Sequence, residues 1–407
     1  MSARPIRGSD GAGMGKETTM VSMSRRGVLG SGAGLLLSAE ARAQAPSRPL
    51  TLNVIDCAGN LALTQKAFDN FRAANPRLVS RIVFTRSPAP EVPSKIRAQQ
   101  AANRVDVDLV LTGTDALAAG MEQDLWADLL PARAASLPNL HEILLEPALR
   151  MQGLARGKGV VVSYYPSGPL LEYMPAKVPT PPGSAEELLA WARQNPNRFA
   201  YARPANSGPG RTFIMGLPYI LGDSDPKDPV NGWSKTWSYL AELGQYIEQY
   251  ATGTGVVMRE LGEGTRDIVA STTGWDINPR VIGVVPKEAR VATLRNFRWV
   301  VDAHYMVVPK GLAEERMTVL LQLMRHMLTP ESQAYAYDEG YFYPGPAVRD
   351  VPLSMAPPES QAAIRDFGRP EYDRWIAENP TELPLDPDKM VIAFRRWDEQ
   401  IGSRRGR

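Results

Sequence analysis

Residues 199–217 read FAYARPANSGPGRTFIMGL, and the fold class turns on this stretch. Phe199-Ala200-Tyr201-Ala202 is the end of a short strand, stopped by Arg203-Pro204 because proline cannot donate to a sheet ladder. Asn206-Ser207-Gly208-Pro209-Gly210 has the turn chemistry that brings a backbone close to another group. From Thr212, the apolar residues Phe213, Ile214 and Leu217 fall at helical spacing. Strand, turn and helix start make a polar cradle in which free N–H groups and the positive end of the helix dipole can hold a ligand. The same pattern also suits an ordinary capped strand-to-helix turn, so the rest of the chain must decide.

Upstream, Leu50–Ile55 alternates as a strand does, and Asp56-Cys57-Ala58-Gly59-Asn60 is the loop after it. Leu63, Ala67, Phe68 and Phe71 recur at helix spacing until Asn75-Pro76 ends the helix. A strand over 78–85, a helix over 94–103 and an apolar strand over 105–111 follow, the last running into Thr112-Gly113-Thr114-Asp115 and another helix. This β-α-β-α-β-α order predicts a parallel sheet flanked by helices. Ligands of such sheets sit at the carboxyl ends of strands, here Asp56 to Asn60 and Thr112 to Asp115.

Gly159–Tyr165 is a strong strand that opens a second region, followed by a proline-rich connector over 175–182. Ser184 and Glu187 predict a capping box for a helix over 185–194. Beyond the opening stretch come a long helix over 233–249 and the turn Ser271-Thr272-Thr273-Gly274-Trp275-Asp276. Phe297 to Pro309 is extended, with room for two strands, and reads as a return crossing between lobes. The remainder predicts helices near 313–328, 331–338, 358–366, 370–378 and 387–401. The expected domains are 46–158 with 306–407 as one lobe and 159–305 as the other.

The 407 residues allow two or three domains. Near the start, Ser24-Arg25-Arg26-Gly27-Val28-Leu29, an apolar run through Leu37 and Ala43-Gln44-Ala45 follow the basic, apolar and small-residue order of a twin-arginine secretory signal. Cleavage is expected after Ala45, with Met20 or Met23 as the expected true start. The apolar run is too short to cross a bilayer of about 30 Å. Removing residues 1–45, with six Lys or Arg and three Asp or Glu, takes the net charge from +2 to near −1. So balanced a chain argues against nucleic acid and anionic membrane partners. The single cysteine, Cys57, excludes an intrachain disulfide, and no lipobox-type cysteine follows the apolar run.

Three segments, PPGSAEELLAW (181–191), VDAHYMVVPKG (301–311) and LTPESQAYAYDEGYFYPGP (328–346), resemble the family 1 extracellular solute-binding proteins, the periplasmic components of ABC importers. The resemblance is nearest the polyamine, iron and thiamine branch. It implies an α/β fold of two lobes, a type II-like periplasmic-binding-protein clamshell that closes on a solute and docks on a membrane permease. The expectation from the whole chain is an exported, periplasmic monomer with no cofactor and no metal. Position by position, the first-lobe wall would be Asp56, Asn60 and Thr112, Gly113 and Thr114. The second lobe would offer Ser207, Gly208, Arg211, Thr212, Trp275 and Asp276, with Tyr164, Tyr165 and Tyr305 at the crossings.

Trp275 beside Asp276 suits an amine, through cation–π attraction and a charge-assisted hydrogen bond, and so favours a polyamine-like solute. The pair equally suits a core tryptophan beside a helix-capping aspartate. Arg211 could pair with an anionic ligand or lie in solvent, which leaves the sign of the solute open. Tyr164-Tyr165 resembles the adjacent tyrosines of iron binders, but in a strand the two rings point to opposite faces. A secreted hydrolase is the enzyme alternative, and it lacks a G-x-S-x-G elbow. His141, His304 and His326 show no metal spacing, and His304, in an apolar strand, reads as a hydrogen-bonded structural residue. A sensor-partner protein that keeps the clamshell without the importer is the third reading.

Overall fold

The computed structural model describes residues 46–403, so the leader and its Ala45 cleavage point lie outside the described residues. The chain begins as three parallel strands with intervening helices: β1 (Leu50–Asp56), α1 (Leu61–Ala74), β2 (Val79–Arg86), α2 (Val92–Ala101) and β3 (Leu109–Thr112). Helices α3 (Thr114–Glu122), α4 (Leu140–Ile143) and α5 (Glu146–Leu154) lead to β4 (Gly159–Gly168) and β5 (Leu170–Tyr173). Next come α6 (Ala185–Gln194), β6 (Phe199–Ala200), α7 (Gly208–Leu221), α8 (Ser234–Leu243), α9 (Thr254–Gly262), β7 (Ile268–Ser271), α10 (Thr273–Val281) and β8 (Arg290–Ala292). The return is β9 (Trp299–Val307), α11 (Glu314–Met327), α12 (Pro330–Gln333), α13 (Pro358–Phe367), α14 (Pro370–Glu378), β10 (Thr381–Glu382) and α15 (Pro387–Trp397).

Two sheets result. One has the order β10-β9-β3-β1-β2 with β4 along the other side of β9, and the other has the order β6-β7-β5-β8. β1 runs parallel to both β2 and β3, whereas β9 runs antiparallel to β3 and β4. Every residue of β4 and β9 is buried, as their nearly continuous apolar sequences require of central strands. The α/β fold of two helix-flanked sheets matches the expectation.

The lobe boundaries differ from it. β4 and β9 are paired over their whole length within the first sheet, so 159–168 and 299–305 belong there and not to the second lobe. Phe297 to Pro309 holds one long strand in place of two. The last helices also change sides. Ile364 and Tyr372 share a core with Leu170, Ile277, Val291 and Trp299, and Met390, Ala393 and Trp397 share one with Phe199, Tyr201 and Phe213. The physical reason is that the second sheet has only four short strands, and it needs these amphipathic helices to bury its apolar face.

The stretch 199–217 folds in the order read, strand, turn and helix, but β6 ends at Ala200 and α7 already starts at Gly208, inside the expected turn. Ser207 caps it by accepting a hydrogen bond from the Gly210 N–H at 3.0 Å, and Pro209 sits in the first turn, where its missing N–H costs nothing. A Cβ on Gly210 would lie 2.2 Å from the Ala202 carbonyl oxygen, so the turn can close only with glycine there. Ser184 likewise caps α6 from the Glu187 N–H, while the Glu187 carboxylate reaches back to Gly183 and not to Ser184 itself. The expected helix over 233–249 stops at Leu243 and tightens into a 3-10 turn over Gly244–Tyr246.

A candidate solute cavity between the two sheets

A cavity of about 250 Å³ lies where the helix starts of both lobes meet. Gly113 and Asp115 from the start of α3 face Ser207, Gly208 and Arg211 from the start of α7 across it. Thr254 opens α9 beside them, with its hydroxyl 2.7 Å from Ser207 Oγ. The N-terminal ends of three helices therefore meet at one space with their positive dipole ends, although the Gly210 and Ala116 N–H groups are already capped by Ser207 and Asp115.

Its charged centre is a triad that joins the lobes. Arg211 Nη1 donates to Asp115 Oδ2 at 2.8 Å, and Arg211 Nη2 donates to Asp302 Oδ2 at 2.5 Å. Asp302 sits on β9 and is 1 % exposed, and Arg211 is 4 % exposed. Thr114 Oγ1 and the Ala303 N–H donate to Asp302 Oδ1, at 3.3 and 2.9 Å. Burial works against the Arg211 charge, but Asp302 and Asp115 more than offset it and hold the guanidinium protonated. Burial also raises the Asp302 carboxyl above its usual range, with Arg211 pulling the other way.

The remaining wall is aromatic. Trp275 and Tyr341 meet edge to face with centroids 5.3 Å apart, and the Phe342 ring stacks on His304 at 3.9 Å. Tyr165 also lines the cavity and donates toward Asp302 Oδ2 at 3.5 Å. Its neighbour Tyr164 packs into the first-lobe core, so the two rings diverge as strand geometry demands. The strap carrying Tyr341 and Phe342 is seated on α10, where a Cβ on Gly274 would lie 2.0 Å from the Tyr341 carbonyl oxygen. Thr273 Oγ1 donates to the Tyr343 carbonyl at 2.8 Å and fixes the strap there.

Of the residues expected at the site, Gly113, Tyr165, Ser207, Gly208, Arg211 and Trp275 line this cavity. Asp56, Asn60, Thr112, Thr114, Thr212 and Tyr305 do not, because each is buried behind the wall and hydrogen-bonded to other protein groups. Asp56 caps α1 by accepting from the N–H groups of Ala58, Asn60 and Leu61. Tyr305 donates its hydroxyl to the Met151 carbonyl. Thr112 and Thr212 donate to backbone carbonyls one to four residues away, and Thr114 reaches Asp302. Asn60 holds His304 from behind, with its Nδ2 3.0 Å from His304 Nδ1.

Asp276 is the clear correction. It is fully buried away from the cavity, where Arg280, Arg369 and the Tyr372 hydroxyl all donate to its carboxylate. That network stitches α10 to the C-terminal helices and leaves no oxygen for a solute amine.

Asp302, His304, Tyr341 and Phe342 are lining residues that the sequence reading did not place in the site, and Asp115, at the end of the expected strand-end loop, lines it too. Asp302 was within reach of it, as an acidic residue inside an apolar strand that needs a buried partner. Cys57 also touches the cavity, but burial and then Asp115 push its thiol well up, so it is no nucleophile. Among the described residues, no group of three or more His, Cys, Asp or Glu is placed to hold a metal ion.

Two sheets with a polar cavity between helix starts define the two-lobe periplasmic-binding-protein fold. The sequence pattern of the bacterial extracellular solute-binding proteins matches residues 66–365, and the chain belongs to that family of ABC-transporter solute-binding proteins. No curated protein matches significantly. Among solved structures, an ABC transporter protein from Clostridium perfringens is 15 % identical at a TM-score of 0.63, over 86 % of this chain and 99 % of that one. A putative spermidine/putrescine ABC transporter from Listeria monocytogenes is 13 % identical at 0.58, over 85 % and 99 %. The binding protein AfuA from Actinobacillus pleuropneumoniae, bound to fructose-6-phosphate, is 15 % identical at 0.58, over 86 % and 98 %. Likeness at these identities speaks for the fold.

Proposed function

We propose that this chain is an exported, monomeric receptor that captures one small polar solute in the cavity at Arg211 and hands it to an ABC-importer permease. The observation that carries this reading is the Arg211–Asp115–Asp302 triad, which ties the second-lobe helix α7 to the first-lobe helix α3 and strand β9 beside the cavity. A solute that touches both lobes stabilises their closed arrangement by its differential affinity for it. Gly113, Tyr165, Ser207, Gly208, Arg211 and Trp275 are the proposed contacts. The twin-arginine pattern at Arg25-Arg26 supports export to the periplasm with cleavage after Ala45. The protonated Cys57 thiol and the neutral, hydrogen-bonded His304 support a binder over a hydrolase.

The expected polyamine-like solute loses its original support with Asp276, and Asp115 and Asp302 are the carboxylates that an amine would meet instead. The neighbouring folds carry names with opposite charges, a spermidine/putrescine type and a sugar phosphate complex, so the fold alone favours neither. The test is a thermal-shift panel of polyamines, thiamine, sugars, Fe(III) and small anions on protein stripped of co-purified solute. One solute class should raise the melting temperature by mass action. Silence across the whole panel would overturn the receptor reading, and turnover of a bound compound would restore the enzyme. Stable association with a histidine kinase in place of a permease would favour the sensor-partner reading.

A further inference from the structure

The charge inventory of the cavity narrows the solute, and this step rests on the receptor reading above. Two carboxylates, Asp115 and Asp302, share the single guanidinium of Arg211. His304 adds no charge, because burial and then the Arg211 charge push its pKa down to about 3. One negative charge is therefore left over among these side chains, and the start of α3, where Asp115 sits, offsets only part of it. Lined up beside it is an opposite pole, the starts of α7 and α9 at Ser207-Gly208 and Gly253-Thr254. Each helix start carries about half a positive charge.

A second group adds a donor. Asn60 Nδ2 donates to His304 Nδ1, so the neutral ring carries its proton on Nε2. His304 is 3 % exposed and lines the cavity, and no protein group among the described residues accepts that Nε2 proton. The cavity thus offers surplus acceptor charge at one end and unsatisfied donors elsewhere. Neither a pure cation nor a pure anion satisfies both. At about 250 Å³, it also falls below the ~300–1,000 Å³ typical of sites for drug-sized ligands.

We propose that the solute is a small zwitterion carrying an ammonium group and an oxyanion, either a carboxylate or a phosphate. The ammonium lies against Asp115 and Asp302 with the Trp275 face beside it, where cation–π attraction adds to the ion pair. The oxyanion lies at the starts of α7 and α9, with Thr254 Oγ1 and backbone N–H groups as donors.

The experiment is calorimetric titration of the stripped protein with 4-aminobutanoate, 5-aminopentanoate and O-phosphoethanolamine, against putrescine and glutarate as single-sign controls. At least one of the three zwitterions should bind tenfold or more tightly than either control, and the phosphate and carboxylate arms separate the two oxyanion sources. Asp115→Asn, which removes the surplus charge from a half-buried side chain, should weaken that zwitterion about tenfold and raise glutarate to equal it. The variant's folding is checked by circular dichroism, and Thr254→Val gives a second readout at the oxyanion end, expected to weaken the zwitterion and leave putrescine unchanged. Putrescine or glutarate binding as tightly as the zwitterions overturns the proposal, as does an unchanged preference in both variants. If these probes are silent while a solute of another class raises the melting temperature, the zwitterion is wrong and the receptor reading stands. If the full panel is silent as well, both fall.

Discussion

Asp276 and Arg211 are both charged residues near the start of a second-lobe helix, both buried, and both expected at the ligand. Around Asp276, two guanidiniums and a phenol converge on one carboxylate, with Glu172 beside them raised well above its usual range by burial and by the Asp276 charge. Both Asp276 oxygens are taken by protein donors, and the residue does not line the cavity. Around Arg211 the ratio is inverted, with one guanidinium between two carboxylates and a cavity alongside. A saturated cluster holds a lobe together, whereas a cluster with charge left over next to a void is available to a ligand. Net side-chain charge beside a cavity separates structure from site where residue type alone does not.

The comparison can be broken first at Asp276. Asp276→Ala leaves Arg280 and Arg369 buried without their anion and should cost about 3–5 kcal/mol of stability, read from the denaturation midpoint. Normal stability with lost solute affinity would reverse the assignment of the two clusters. Arg211→Met strands two carboxylates at the cavity. It should lower solute affinity about a hundredfold, near 2.7 kcal/mol, and destabilise the empty protein by roughly 2 kcal/mol. An unaltered affinity would remove the triad from the site.

Trp275→Ala sharpens the contrast more gently. The ring is partly exposed at the cavity wall, so affinity should fall about tenfold, near 1.4 kcal/mol, while the melting temperature of the empty protein barely moves. A melting temperature that drops with no effect on binding would make Trp275 a packing residue. The smallest effect is on pH dependence. The His304 pKa is about 3 in the fold against about 6.5 unfolded, so the unfolded chain takes up a proton first as the pH falls. Stability is then fully present above pH 6.5 and is lost progressively below it, by under about 1 kcal/mol between pH 8 and pH 6. His304→Gln should remove that slope from the unfolding free energy, and an unchanged slope would place the imidazole in water.

The parts of the site legible in the sequence were those set by local backbone. Ser207, Gly208 and Arg211 follow from a turn that only Gly210 can close and a helix that must start after it. Gly113 follows from the end of an apolar strand. The misplaced residues were judged by chemistry without knowledge of what packs on them. Asp56, Asn60 and Thr112 have the right loop addresses but turn inward to cap helices and hold His304. Tyr341 and Phe342 were visible as an aromatic cluster, yet their place at the cavity depends on a strap that crosses about 70 residues of sequence separation to rest on Gly274 and Thr273. The same holds for the C-terminal helices, whose spans were correct and whose lobe was not.

The sequence by itself determined the alternation of strands and helices and the helix starts at the cavity, because these depend on hydrophobic period, glycine, proline and capping residues a few positions apart, while the two-lobe class came from the family resemblance. Only the tertiary structure decided which carboxylates meet Arg211, which arginines saturate Asp276, and on which sheet the last helices rest. Apart from the i,i+4 pair Asp276–Arg280, those outcomes depend on pairings between residues about 90 to 200 positions apart, and in a buried setting the energy of a charge is fixed by its partners and not by its own identity.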